Sequence, residues 1–148
     1  GERLAAAAVA AAACLWRAPI DTSVVAFGEE AVVIAGQGSG RETEQVVDAL
    51  LRLRGHGPTD LALGLRTARD QLERSRASRR VTILLSDARP TMGGDPAVAA
   101  AALDELVILA PAGDSADADV LAAAVGARCV SIAGPSSIPQ ALAEALLV

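Results

Sequence analysis

The sequence predicts an α/β fold in which an open, mostly parallel β-sheet is covered by helices on both faces. Short β-branched or apolar runs alternate along the 148 residues with segments of helical periodicity. The run VTILLS at 81–86 is apolar at nearly every position, which is typical of a parallel strand buried on both faces. Hydrophobic residues make up 52% of the chain, and its aromatic side chains are Trp16 and Phe27, so we expect one domain with an aliphatic core.

Helices are predicted where helix-forming residues, or apolar residues at helical spacing, run up to a breaker. The first is rich in Ala, ends shortly before Pro19 and is apolar on nearly all sides, so we expect it to be buried against a sheet. The GHGP run at 55–58 ends the second, and Asp95 is expected to cap the fourth with Pro96 in its first turn. The predicted helices are 3–16, 42–53, 60–75, 96–103, 116–124 and 139–147.

Strands are predicted at the β-branched and apolar runs between these helices. SVVAF and AVVI are separated by a short GEE turn at 28–30, which indicates a hairpin. The predicted strands are 23–27, 31–34, 81–86, 106–110 and 129–133. In open α/β sheets ligands bind beyond the carboxyl ends of the strands, so the residues that follow each strand are the candidate site.

The net charge and the positions of the cysteines argue against several classes of protein. A net charge of -5 argues against a protein that binds nucleic acid through its phosphate backbone. The arginine cluster at 74, 76, 79 and 80 is interpreted as a solvated helix end followed by the start of a strand. Cys14 and Cys129 lie far apart in apolar runs, a pattern typical of reduced, buried thiols in a cytosolic domain. We therefore expect no nucleic-acid partner and a cytoplasmic location.

The apolar run at 4–15 is interpreted as a helix and not as the core of a signal peptide. Glu2 precedes a single Arg3, and the run continues through Trp16 without a cleavage site. It is also too short to span a bilayer. We expect no membrane span within the chain, while a signal or anchor upstream stays open.

Two short segments resemble a known family. The segment GPTDL at 57–61 opens a predicted helix, and the next predicted strand ends in LLSD at 84–87. Together they resemble two of the three segments of the metal-ion-dependent adhesion site (MIDAS) of von Willebrand factor type A (vWA) domains. The resemblance implies a Rossmann-like sheet with Mg²⁺ or Mn²⁺ at its top. It also implies that Thr59 supplies a hydroxyl directly or through water, and that Asp87 acts mainly through water.

The third segment of that family, Asp-x-Ser-x-Ser at the end of the first central strand, is missing. The chain opens already entering the helix that follows it, and Asp21-Thr22-Ser23 does not replace it because Val25 stands at the last Ser position. Residues 1–148 are therefore expected to be a single vWA domain that lacks its first central strand. We expect an excerpt of a longer protein, in which two ligands hold metal weakly or not at all.

The resemblance implies a binding module whose metal engages an Asp or Glu carboxylate of a partner protein. It is similar to bacterial vWA proteins that work with AAA+ ATPases, such as MoxR-associated proteins and the integrating subunit of magnesium chelatase. A non-catalytic part of a chelatase-like complex and a metal-independent scaffold are the alternatives. An enzyme is not expected, because His56 is the one histidine and has no paired nucleophile, and no cofactor fingerprint is present.

Simpler roles remain open for the same residues. Thr59 precedes a helix and is a candidate cap, and Asp60 is interpreted as a first-turn carboxylate. Ala88 stands where the family usually has Gly, which leaves the placing of Asp87 open. Asp114, Asp117 and Asp119 lack the Gly and Glu of a calcium loop and are expected to open the next helix.

Overall fold

The computed structural model describes residues 2–54 and 57–147, and it confirms the predicted α/β fold. The helices of this part are α1 Glu2–Arg17, α2 Thr43–Leu51, α3 Leu61–Leu72, α4 Pro96–Ala101, α5 Ala116–Val125 and α6 Ile138–Leu147. Its strands are β1 Val24–Phe27, β2 Ala31–Ala35, β3 Val81–Leu85, β4 Glu105–Pro111 and β5 Arg128–Ile132. A 3₁₀ turn at Pro135–Ser137 was not predicted. None of the described helices is long and apolar enough to cross a membrane.

The strands form two sheets. β3, β4 and β5 are parallel, with Val81 opposite Glu105 and Val107 opposite Arg128. β1 and β2 form the predicted antiparallel hairpin. Within residues 2–54 and 57–147, no strand pairing joins the hairpin to the parallel sheet. The outer edges of β1 and β3 are therefore left without a strand partner in this part of the chain.

The first helix packs across both sheets on one face. Ala6 and Ala10 belong to a buried cluster with Leu109 of β4 and with α6. Ala11 and Leu15, on the adjoining flank, pack with β2 and α2. The helix was predicted to be buried against a sheet, and one side of it is; in its last turn Trp16 is 88% exposed. Through its small side chains, one helix thus shares a buried cluster with each sheet.

The helix α3 covers both sheets from the opposite face. Leu61 and Leu65 are fully buried and pack against Leu84 of β3 and the other residues of that cluster. On the hairpin side, the ring of Phe27 lies directly against Gly64, where a Cβ atom would be 2.6 Å from Phe27 Cγ. A glycine is required here because no side chain fits between the helix and the ring.

The arginine cluster was interpreted as a solvated helix end, but two of its side chains make hydrogen bonds within the protein. Arg79 donates to both carboxylate oxygens of Glu105, at 3.0 and 2.7 Å, and to the carbonyl oxygen of Leu146 at 2.7 Å. These bonds lower the pKa of Glu105 below its usual value. Arg80 donates to the carbonyl oxygen of Ser75 at 2.7 Å. The cluster thus ties the start of β4 to the end of α6.

Both cysteines are free thiols, as predicted. Burial raises the pKa of Cys14 above its usual value. Burial raises the pKa of Cys129 to about 11, and the neighbouring Asp119 carboxylate adds to the increase. Since the thiolate is the reactive form, both side chains are expected to be poor nucleophiles at neutral pH.

We predict that Gly64→Ala destabilises the protein, although Ala is normally the better helix former. The added methyl group overlaps the Phe27 ring, so the free energy of unfolding should fall by about 1–3 kcal/mol in urea titrations. Gly134→Ala is the control, because a Cβ there meets open space. An unchanged or higher stability of Gly64→Ala would show that the hairpin does not rest on α3 at this point.

Candidate functional site

The candidate site lies where β3 ends and its following loop begins. The backbone N–H of Ser86 still donates to the carbonyl oxygen of Leu109 in β4, at 3.2 Å. The chain then turns sharply: the hydroxyl oxygen of Ser86 accepts from the N–H of Ala88 at 2.9 Å. Asp87 Oδ1 accepts from the N–H of Arg89 at 3.0 Å. Asp87 is therefore held at the carboxyl end of β3 by local bonds on both sides.

Ala88 takes a backbone conformation that normally favours glycine. Its φ is 60°, in the left-handed region, which costs a non-glycine residue about 1 kcal/mol. Its methyl group is buried in the cluster beneath α3. Burial of this methyl offsets the backbone cost by a similar amount. The replacement of Gly by Ala therefore leaves the turn after Asp87 in place.

Thr59 is bonded to the same loop. Its backbone N–H donates to Thr91 Oγ1 at 2.8 Å. Its carbonyl oxygen accepts from the N–H groups of Thr91, at 3.0 Å, and Met92, at 3.3 Å. Among the side-chain hydrogen bonds of the described residues, none uses the Thr59 hydroxyl. The structure thus fastens the loop that carries Asp87 to Thr59 and leaves the hydroxyl of Thr59 without a described partner.

The helix cap is Asp60 and not Thr59, which corrects the sequence-based interpretation of both residues. Asp60 Oδ1 accepts from the N–H of Leu63 at 3.0 Å, and Asp60 is the N-cap residue of α3. The residue is only 8% exposed, and its own N–H donates to the carbonyl oxygen of Gly28 at 2.8 Å. Asp60 directly precedes the first residue of α3, which is the N-cap position. Its carboxylate also accepts such bonds more strongly than a hydroxyl does.

Gly93 crosses over the Asp60 carboxylate. Its φ is +87°, and a Cβ atom at this position would lie 2.1 Å from Asp60 Oδ1. Sequence reasoning did not single out Gly93, and its contact with Asp60 depends on the tertiary path of the loop. The glycine closes the far end of the loop that begins at Asp87.

The Asp87 carboxylate also has a distant partner that sequence reasoning missed. Asp87 Oδ2 lies 3.0 Å from Arg3 Nη2, in the first turn of α1. The Asp87 side chain is 18% exposed and that of Arg3 is 75% exposed. The two residues are 84 positions apart, and no pattern in the sequence links them.

A second group of ion pairs, around Arg89, fixes the loop that follows β3. Arg89 Nε donates to Asp117 Oδ2 at 2.9 Å, and another of its guanidinium nitrogens pairs with Asp114. Asp117 and Asp119 lie in the first turn of α5, as predicted, whereas Asp114 lies before the helix and pairs with Arg89. The three carboxylates therefore anchor a loop and open a helix.

The polar groups at this sheet edge are oxygen atoms, which a hard divalent cation prefers. In the described ranges, no three His, Cys, Asp or Glu side chains come together as a metal-binding group. Thr59 and Asp87 supply one hydroxyl and one carboxylate, and Mg²⁺ commonly keeps water in its remaining positions. The residues present thus fit part of a coordination shell. His56 lies outside the described residues.

We predict that Gly93→Ala loosens this loop. A Cβ atom would meet the Asp60 carboxylate, and the positive φ adds strain, so the free energy of unfolding should fall by about 2–4 kcal/mol. The adjacent Gly94→Ala is the matched control, because its Cβ would be in ordinary contact with Arg66 and Ala62. Equal stability of the two variants, measured by thermal and urea unfolding, would contradict the close crossing of Gly93 over Asp60.

The fold of the chain is similar to that of solved structures of proximal thread matrix protein 1 from the mussel byssus. One crystal form gives a TM-score of 0.71 at 12% identity, covering 97% of this chain and 42% of the matrix protein. A second structure gives 0.70 at 13% identity, covering 96% and 41%. A structure of the same protein with a zinc-occupied MIDAS motif gives 0.64 at 12% identity, covering 97% and 42%. The chain thus spans less than half the length of the matrix protein, and at these identities the likeness is one of fold.

The sequence was also compared with curated proteins and with family profiles. No curated protein matches it. Residues 18–133 match the von Willebrand factor type A domain, and this range covers most of the chain and includes both Thr59 and Asp87. The chain therefore belongs to the von Willebrand factor type A domain family.

Proposed function

We propose that the chain is a protein-binding module that uses a divalent cation in a MIDAS-type site to engage a carboxylate of its partner. One observation carries the proposal: the loop that bears Asp87 is hydrogen-bonded to the backbone of Thr59. This contact places the surviving hydroxyl and carboxylate on joined loops at one sheet edge. The zinc-occupied MIDAS motif of the mussel matrix protein supports a metal site in a protein of this fold.

In this proposal each side chain has a defined task. Thr59 binds the cation through its hydroxyl, directly or through water, and Asp87 binds it mainly through water. A bound Mg²⁺ or Mn²⁺ supplies the positive charge that attracts an Asp or Glu carboxylate of the partner. Asp60 and Arg89 hold the loops in place by the bonds described above. Because two ligands are few for Mg²⁺, we expect weak binding by these residues alone.

We further propose that one more strand lies between β1 and β3 in the working protein and brings the Asp-x-Ser-x-Ser segment. The support is the pairing pattern: β1 bonds with β2, β3 bonds with β4, and the described part of the chain offers no partner on the other side of either strand. Unpaired backbone groups and exposed strand edges are costly and prone to aggregation. A strand encoded upstream of Gly1 would pair with both edges and complete the site.

The partner that we propose is an AAA+ ATPase of a bacterial, cytoplasmic system. This extends the family resemblance of the segment around Thr59, and a non-catalytic place in a chelatase-like complex is a variant of it. The Arg3–Asp87 pair favours a second candidate, a vWA scaffold that binds without metal, because Asp87 is already neutralised by a side chain. In both cases the chain acts by binding and not by catalysis.

We predict that Thr59→Ala and Asp87→Asn each weaken Mn²⁺ binding about ten- to hundredfold, since each removes one of two ligands. Mn²⁺ and Mg²⁺ titrations followed by calorimetry measure the effect. Thr67→Ala is the control, because the Thr67 hydroxyl bonds within α3 to the carbonyl oxygen of Leu63. If all variants bind Mn²⁺ as the wild type does, Thr59 and Asp87 are not ligands and the metal-independent scaffold is favoured.

A further inference from the structure

We propose that Arg3 is an internal competitor of the divalent cation at Asp87, so that metal binds only when the Arg3 guanidinium leaves the carboxylate. The proposal rests on the metal site of the proposed function and adds a residue that controls it. Its basis is the 3.0 Å contact between Arg3 Nη2 and Asp87 Oδ2.

The packing of α1 explains why Arg3 is in reach of Asp87. Ala6 and Ala10 of α1 lie in one cluster with side chains of β4 and α6, and Ile83 and Leu85 of β3 pack against that cluster. The first turn of α1 therefore lies at the end of β3 where Asp87 follows. The backbone of Arg3 is thus part of a packed helix, while its side chain is exposed.

Of the two arginines near Asp87, Arg3 is the one whose charge acts on it directly. Arg89 gives Asp87 its backbone N–H, while its guanidinium is bonded to Asp114 and Asp117. The Asp87 carboxylate thus has one oxygen on a backbone N–H and the other on the Arg3 guanidinium. A cation that binds at Asp87 Oδ2 competes with Arg3 for this oxygen and also meets the positive charge of Arg3.

The contact between Arg3 and Asp87 is weak enough for a cation to displace it. The Arg3 side chain is 75% exposed, and ion pairs between exposed side chains are weak and are screened by salt. A divalent cation at sufficient concentration can therefore displace Arg3. Metal affinity then depends on Arg3 as well as on the ligands, and it is lower than the ligands alone allow.

The test is a Mn²⁺ titration of the wild type, Arg3→Gln, Arg3→Lys and Arg17→Gln at low ionic strength, followed by the electron paramagnetic resonance signal of free Mn²⁺. Arg17 is the matched control because it is an exposed arginine at the other end of α1. Arg3→Gln is expected to bind Mn²⁺ about three- to tenfold tighter than the wild type. Arg3→Lys, which keeps the charge, and Arg17→Gln should stay within about twofold of the wild type.

The outcomes separate this inference from the proposed function. Equal affinity of wild type and Arg3→Gln, with weaker binding by Asp87→Asn, would overturn the role of Arg3 and leave the metal site standing. The same gain in Arg3→Gln and Arg17→Gln would also overturn it, because the effect would then be one of net charge. Binding by Arg3→Gln but not by the wild type would support it strongly. Absence of binding in every variant would overturn the proposed metal site and the role of Arg3 together.

The melting temperature in the presence of Mn²⁺ gives a second readout that does not depend on the resonance signal. Mn²⁺ should raise the melting temperature of Arg3→Gln more than that of the wild type, since a ligand that binds the folded state more tightly stabilises it more. Without metal, Arg3→Gln should melt within a few degrees of the wild type, because it loses one exposed ion pair. An equal Mn²⁺-induced rise in the two proteins contradicts competition by Arg3.

Discussion

The main constraint on the structure is that β1 and β3 each have one edge without a strand partner among the described residues. Ser86 donates to β4, and because successive residues of a strand point to opposite sides, the N–H groups of Ile83 and Leu85 point away from β4. Gly28 donates to Glu30 within the hairpin, so the N–H of Phe27 points away from β2. Helices α1 and α3 cover the sheets from above and below. Their aliphatic contacts, and not hydrogen bonds between strands, join the hairpin to the parallel sheet in the described residues.

The candidate site lies beside these two unpaired strand edges. Thr59 precedes α3, Asp87 follows β3, and Arg3 lies in the first turn of α1, so each of the three lies in or next to an element that borders the unpaired edges. The loop after β3 is fixed at both ends, by the turn at Ala88 and by the crossing of Gly93 over Asp60. Thr59 and Asp87 are therefore joined to a loop that is fixed at both ends.

The elements, with Thr59 just before α3 and Asp87 just after β3, could be predicted from the sequence because their signals are local. Apolar periodicity and breakers place the helices and strands within a few residues, and Asp95 caps α4 as expected. The roles of Gly93 and Arg3 could not be predicted in this way, because each depends on a contact between distant parts of the chain. The positive φ of Ala88 could not be predicted either, because it depends on the turn at Ser86 and on burial of the Ala88 methyl group.

Amide hydrogen exchange at single-residue resolution tests the central claim, that β3 is paired on one side. The account predicts that the N–H groups of Ile83 and Leu85 exchange at least about tenfold faster than that of Leu84, which points to β4. The N–H of Phe27 should exchange faster than that of Ala26 for the same reason. Equal and strong protection of neighbouring residues along β3 would contradict the account, because it would show that both sides of the strand are hydrogen-bonded.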